Sequence, residues 1–140
     1  MNSRDHFELF RYLLEQMCLS EEDLLFVSDI SGWCRKHDIP ETDREKPFKF
    51  LPQGADGCKM LVREEISETV IEERINALRV RDQLKSIADD RGDRLNSDRK
   101  KLAYLFLIEY AAGLPDIGDD ERAADDWAFG ELERFGFFKT

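Results

Sequence analysis

Apolar side chains return at helical spacing along most of the chain. Phe10, Leu13, Leu14 and Met17 lie on one face and predict a first helix. Ser20 followed by Asp23 has the form of a capping box, with Leu19 and Leu24 at the positions of a hydrophobic staple. A second helix is therefore expected over 24–36, carrying Leu24, Leu25, Val27, Ile30, Ser31 and Cys34. Lys36 and His37 suit its carbonyl end, and Pro40 stops it.

The pattern changes at residues 40–63. Pro40, Pro47, Pro52, Gly54 and Gly57 interrupt any helix, and Phe48–Leu51 and Lys59–Val62 flank a turn-forming stretch. A short β-hairpin or an ordered loop is expected at about 47–63. Residues 64–90 hold no Pro or Gly. Ile66, Val70, Ile71, Ile75, Leu78, Leu84, Ile87 and Ala88 form a rough apolar stripe there, among opposite charges such as Asp82 with Arg79 and Lys85. One helix of that length would span roughly 40 Å. Either it breaks near Ala77–Arg81, or it projects and offers a face for homo-oligomer contacts.

Ser97 can cap the next helix, which runs through Leu102, Ala103, Tyr104, Leu105, Phe106, Leu107, Ile108 and Tyr110–Ala112 to a stop at Gly113 and Pro115. It is apolar nearly all round and is the expected central helix. A last helix begins at Asp119 or Asp120, with Ala124, Trp127, Ala128 and Leu132 facing the core and Phe129 outside that arc, beside Asp125 and Asp126. The fold class expected is all-α or nearly so. It is an irregular bundle of five to six helices in one domain, 1–140, with a loop or hairpin inserted at 40–63.

Composition narrows the function classes. With 41% hydrophobic residues and ten phenylalanines the chain can build a core without disulfides or metal. There are 31 acidic residues against 21 basic ones, a formal net charge of -10. Nucleic acids and anionic membranes both require Lys and Arg, so neither is the expected partner. No apolar run is long enough to span a bilayer and no signal peptide is evident, so a cytoplasmic setting with reduced thiols is expected. Cys18, Cys34 and Cys58 are odd in number and widely spaced, which is no disulfide framework. With His37 they could make up a Cys3His zinc set, but Cys18 and Cys34 lie on apolar stripes and read as buried thiols.

Candidate chemistry is sparse. Arg91-Gly92-Asp93 reads as a turn, and Ser31-Gly32-Trp33 lacks the frame of a nucleophile elbow. No phosphate loop or dinucleotide fingerprint occurs. Glu109 stands in the most apolar helix, where a carboxylate needs a partner. One alternative function is therefore an enzyme or metal-dependent protein with a carboxylate site at Glu109 and helix 116–133. Asp116, Asp119, Asp120 and Glu121 resemble a calcium loop in composition only. No cofactor and no metal are expected, and an enzyme is not the leading expectation.

The distribution of charge is more informative. Residues 115–133 hold eight acids and one base, Arg122. Helix capping accounts for some of them, but not for Asp125, Asp126, Glu131 and Glu133. The same segment carries aromatic residues. The reading is an acidic protein-binding module, of the adaptor, inhibitor or immunity type, that engages a basic partner protein. Its expected surface comprises Asp116, Asp119, Asp120, Asp125, Asp126, Phe129, Glu133, Phe137 and Phe138. A structural subunit of a larger complex and a nucleic-acid mimic are the further alternatives.

Overall fold

The computed structural model describes residues 1–40, 46–55, 58–79, 94–118 and 120–138. The fold belongs to the expected class: mainly helical and irregular, with five helices of seven residues or more and one small three-stranded sheet among the described residues. The helices are α1 (Phe7–Gln16), α2 (Ile30–Lys36), α3 (Glu68–Arg79), α4 (Asp98–Ala112) and α5 (Glu121–Arg134). The strands are β1 (Leu24–Val27), β2 (Phe48–Ala55) and β3 (Cys58–Arg63). Residues 80–90 of the long helical stretch, the Arg91-Gly92-Asp93 turn and Asp119 lie outside the described residues. The chain divides into two compact units, Met1–Val70 and Ile71–Thr140.

The first unit is layered. Its sheet has the order β1-β3-β2, with β1 parallel and β2 antiparallel to β3. Of the two alternatives for 47–63, a hairpin or an ordered loop, the hairpin is the one present, as β2 and β3. Strand alternation sends Leu24, Phe26, Phe48, Met60 and Val62 to one face. There α1 buries Leu9, Phe10, Leu13 and Leu14, and the Phe10 ring lies 5.5 Å from Phe48 and 6.3 Å from Phe26. On the opposite face Val27, Leu51 and Leu61 meet Ile30 and Cys34 of α2, with Trp33 and Ile39 packed against them. Near the N-terminus, Ser3 lies along the continuation of β3, its hydroxyl donating to the Arg63 carbonyl at 2.6 Å.

The helix expected over 24–36 is corrected by this arrangement. Asp23 does accept from the Ser20 N–H at 2.9 Å, but the helix it starts is a single 3-10 turn, Glu21–Asp23. Leu24-Leu25-Phe26-Val27 is an apolar, β-prone run, and the ladder to β3 outcompetes another helical turn. The helix resumes at Ile30.

Cys18 is a second correction. It is exposed, not buried, because it stands past the end of α1 with φ at +59°. The Leu19 N–H then reaches back to the Leu14 carbonyl at 2.8 Å, closing a Schellman motif. Asp38, at φ +55°, does the same after α2, where Ile39 N–H donates to Cys34 O at 2.9 Å. Cys34 is buried as expected.

In the second unit α4 is the expected core helix. Leu102 through Leu107 and Ala111 are all buried. Ser97 caps it, accepting from Lys100 N–H at 3.2 Å. α5 buries Ala124, Asp125, Ala128, Phe129 and Leu132. Lys101 of α4 forms an ion pair with Glu72 of α3. No helix among the described residues is long and apolar enough to cross a membrane.

Candidate functional site: the acidic C-terminal segment

The segment leaves α4 through a turn that exposes Asp116 and brings Gly118 to φ +53°. Asp120 then caps α5, its carboxylate accepting from Ala123 N–H at 3.0 Å. Side chains advance about 100° per residue around a helix, which sorts the residues of α5 into two arcs. Ala124, Asp125, Ala128, Phe129 and Leu132 share one arc and are buried, while Arg122, Asp126, Gly130 and Glu133 share the opposite arc and are exposed.

Two of the nine residues expected at the surface are therefore placed in the core. Phe129 is 5% exposed, with its ring 5.2 Å from Tyr104 and stacked at 5.8 Å on Phe138. Asp125 is 3% exposed and accepts from the Tyr104 hydroxyl at 2.7 Å. The expectation that Phe129 stands outside the core arc is corrected for a physical reason. A phenol buried in an apolar helix needs a polar partner, and Asp125 supplies it from the facing helix. That pairing turns α5 so that the residue four positions on, Phe129, also faces inward. Trp127, expected in the core, is half-buried and stacks on Tyr110 at 5.7 Å.

Tyr104 was the available signal. It is a hydroxyl inside the most apolar stretch of the chain, so an acid on a neighbouring helix was its natural mate.

Phe137 and Phe138 fold back. Gly136, at φ +82°, ends α5, and the Phe137 N–H donates to the Leu132 carbonyl at 3.0 Å. The Arg94 guanidinium then lies 4.0 Å over the Phe138 ring, and that of Arg99 5.2 Å over Phe137. Both rings are half-buried, Phe138 under a cation that precedes α4 and Phe137 under one in its first turn, at distances typical of cation–π contacts. What the segment presents outward is Asp116, Asp120, Asp126 and Glu133. Asp119 lies outside the described residues.

The carboxylates do not converge. Asp125 faces α4, whereas Asp126 and Glu133 lie on the far arc, and Glu109 is half-buried on α4. Among the described residues no group of three or more His, Cys, Asp or Glu side chains is arranged to hold a metal ion.

The first unit has its own acidic ridge, where Arg11 is shared by Glu21 at 3.2 Å, Glu15 at 3.5 Å and Glu8 at 3.8 Å. It also has a cleft of about 220 Å³ at the start of α3, with Arg63 and Glu65 both in its wall.

Comparison with protein-family models, with curated proteins and with solved structures found no match to this chain.

Proposed function

We propose that the chain is an acidic protein-binding module, of the adaptor, inhibitor or immunity type, whose partner is a basic protein. The observation that carries this reading is the outward arc of α5. Asp126 and Glu133 are exposed there on either side of Gly130, and a Cβ built on Gly130 would meet nothing within 4 Å. A glycine at an exposed helix position lowers helix stability, and among the described residues no close approach to Gly130 calls for it. A partner's side chains can approach the helix backbone closely at such a position, between two carboxylates. Asp116 and Asp120 extend the same negative charge to the start of α5. Asp125 and Phe129 serve from below, fixing the rotation of the helix that turns Asp126 and Glu133 outward.

The net charge of -10 supports the reading at long range, because a field of one sign steers an oppositely charged partner and repels others. In the cytoplasm, the setting this reading implies, thiols such as Cys18 and Cys34 stay reduced.

The test uses a partner recovered from the source cells with the intact chain as bait. Changing Asp126 to Asn together with Glu133 to Gln is expected to slow association about tenfold at low salt, with little change in dissociation or in the melt. The gap should close as salt screens it. Recovery of a partner without a basic surface, or an association rate indifferent to both salt and these changes, would refute the proposal.

A further inference from the structure

We infer that the outer edge of β1 is a docking strip for an extended, basic segment of the partner protein, added to the sheet as a fourth strand. This rests on the proposed basic partner and names how part of it is held.

The geometry is set by one hydrogen bond. The Glu64 N–H donates to the Val27 carbonyl at 2.7 Å, so Val27 turns its peptide groups towards β3. In a parallel ladder the groups alternate, so Leu25 also faces β3, and Leu24 and Phe26 face the other way. The Leu24 N–H is taken by the Glu21 carbonyl. The Leu24 carbonyl and both peptide groups of Phe26 remain along the outer edge, where no strand among the described residues pairs with them.

The two edges of this sheet differ. β2, the other edge, contains Pro52, which has no N–H to offer, and its register with β3 is irregular between Phe50 and Ala55. Proline and broken register are how edges are kept from pairing. β1 has neither. Instead it presents Leu25, at 36% exposure the exposed large hydrophobic side chain among the described residues. An added strand would place alternate side chains against Leu25 on that face.

The charge around the strip selects the occupant. Glu22 is exposed just before β1, Asp23 is half-exposed beside it, and Asp29 is exposed just after it. Glu21, also exposed there, is ion-paired with Arg11 at 3.2 Å, and the Arg4 guanidinium lies 4.7 Å over the Phe26 ring, so Glu22, Asp23 and Asp29 carry the negative charge of the strip. A second copy pairing antiparallel through β1 would set Glu22 and Asp23 against its own Asp29, acid on acid. An extended segment with Lys or Arg at its ends meets opposite charge at both ends. Main-chain bonds would then supply holding strength, and Leu25 with the flanking acids would supply selectivity.

The test is amide NMR on the full chain, titrated with the heptapeptide Lys-Val-Lys-Val-Lys-Val-Lys and with its Glu-for-Lys counterpart. The Lys peptide is expected to shift the amides of residues 24–28 and to slow hydrogen exchange at Phe26. The Glu peptide should do neither. Leu25→Lys should weaken the Lys peptide about tenfold with an unchanged melt, and Leu25→Thr, which keeps β propensity, should weaken it less. Equal binding of the two peptides, or shifts that spare Phe26, would overturn the inference. So would protection of Phe26 that rises with protein concentration alone, which would make the occupant a second copy. If the Lys peptide moves Asp126 and Glu133 but not β1, the edge is wrong while the acidic module stands. If it moves neither surface, the edge is overturned and the acidic module loses support with it.

Discussion

Cys18 holds φ at +59°, a conformation that costs an L-residue roughly 1–2 kcal/mol and costs glycine almost nothing. The position is exposed, so removing its side chain gives up little packing. Cys18→Gly is expected to stabilise the chain by about 0.5–1 kcal/mol, read as a higher urea midpoint at an unchanged slope. Cys18→Val should move the midpoint the other way, because a β-branched side chain tolerates positive φ poorly. Tyr104 is the opposite kind of residue, its hydroxyl being held in the core by Asp125 at 2.7 Å. Tyr104→Phe keeps the ring and its contact with Phe129 but leaves a buried carboxylate short of one donor. The expected loss is about 1–3 kcal/mol, the range for a hydrogen bond to a charged group in a buried place. An equal melt for Tyr104→Phe and the parent would mean that Asp125 is satisfied without the phenol.

At the scale of elements, α5 offers two substitutions with opposite signs. Gly130→Ala adds a methyl where nothing lies within 4 Å and should stabilise by about 0.5–1 kcal/mol, seen as a higher melting temperature. Phe129→Ala empties a buried site and should cost about 3–5 kcal/mol. Most elements could be read from the sequence because their signals are local. The caps at Ser97 and Asp120 and the central helix with Leu102 and Phe106 fall where spacing and turn chemistry put them, while between Pro47 and Arg63 the same signals leave a hairpin and an ordered loop open and the structure has the hairpin. What escaped was set by partners far along the chain. Residues 24–27 carry a helix-start signal, yet β3, some 35 residues on, provides a ladder that a capping box cannot anticipate. The outward acids Asp116, Asp120, Asp126 and Glu133 were legible from charge alone. The inward pair Asp125 and Phe129 was not, because a rule that faces carboxylates to water fails where a buried phenol needs one.

At the scale of the whole molecule, the acids of the described residues are unevenly compensated. Arg11 answers three carboxylates, while Arg94 and Arg99 lie over aromatic rings. A net charge of -10 on 140 residues repels itself in the folded state more than in the expanded one. Raising sodium chloride from low millimolar to a few hundred millimolar should therefore lift the melting temperature by a few degrees, measured by circular dichroism. A melt that falls with salt would instead show that the ion pairs outweigh the repulsion. The two tryptophans are apportioned one to each compact unit, Trp33 stacked on His37 in Met1–Val70 and Trp127 stacked on Tyr110 in Ile71–Thr140. Each half of the chain thus carries its own native fluorophore. Replacing one indole with Phe leaves the other as a spectroscopic witness to its own half. A pair of single-tryptophan emission curves then reports, without any label, whether the halves lose their structure in one cooperative event or in two.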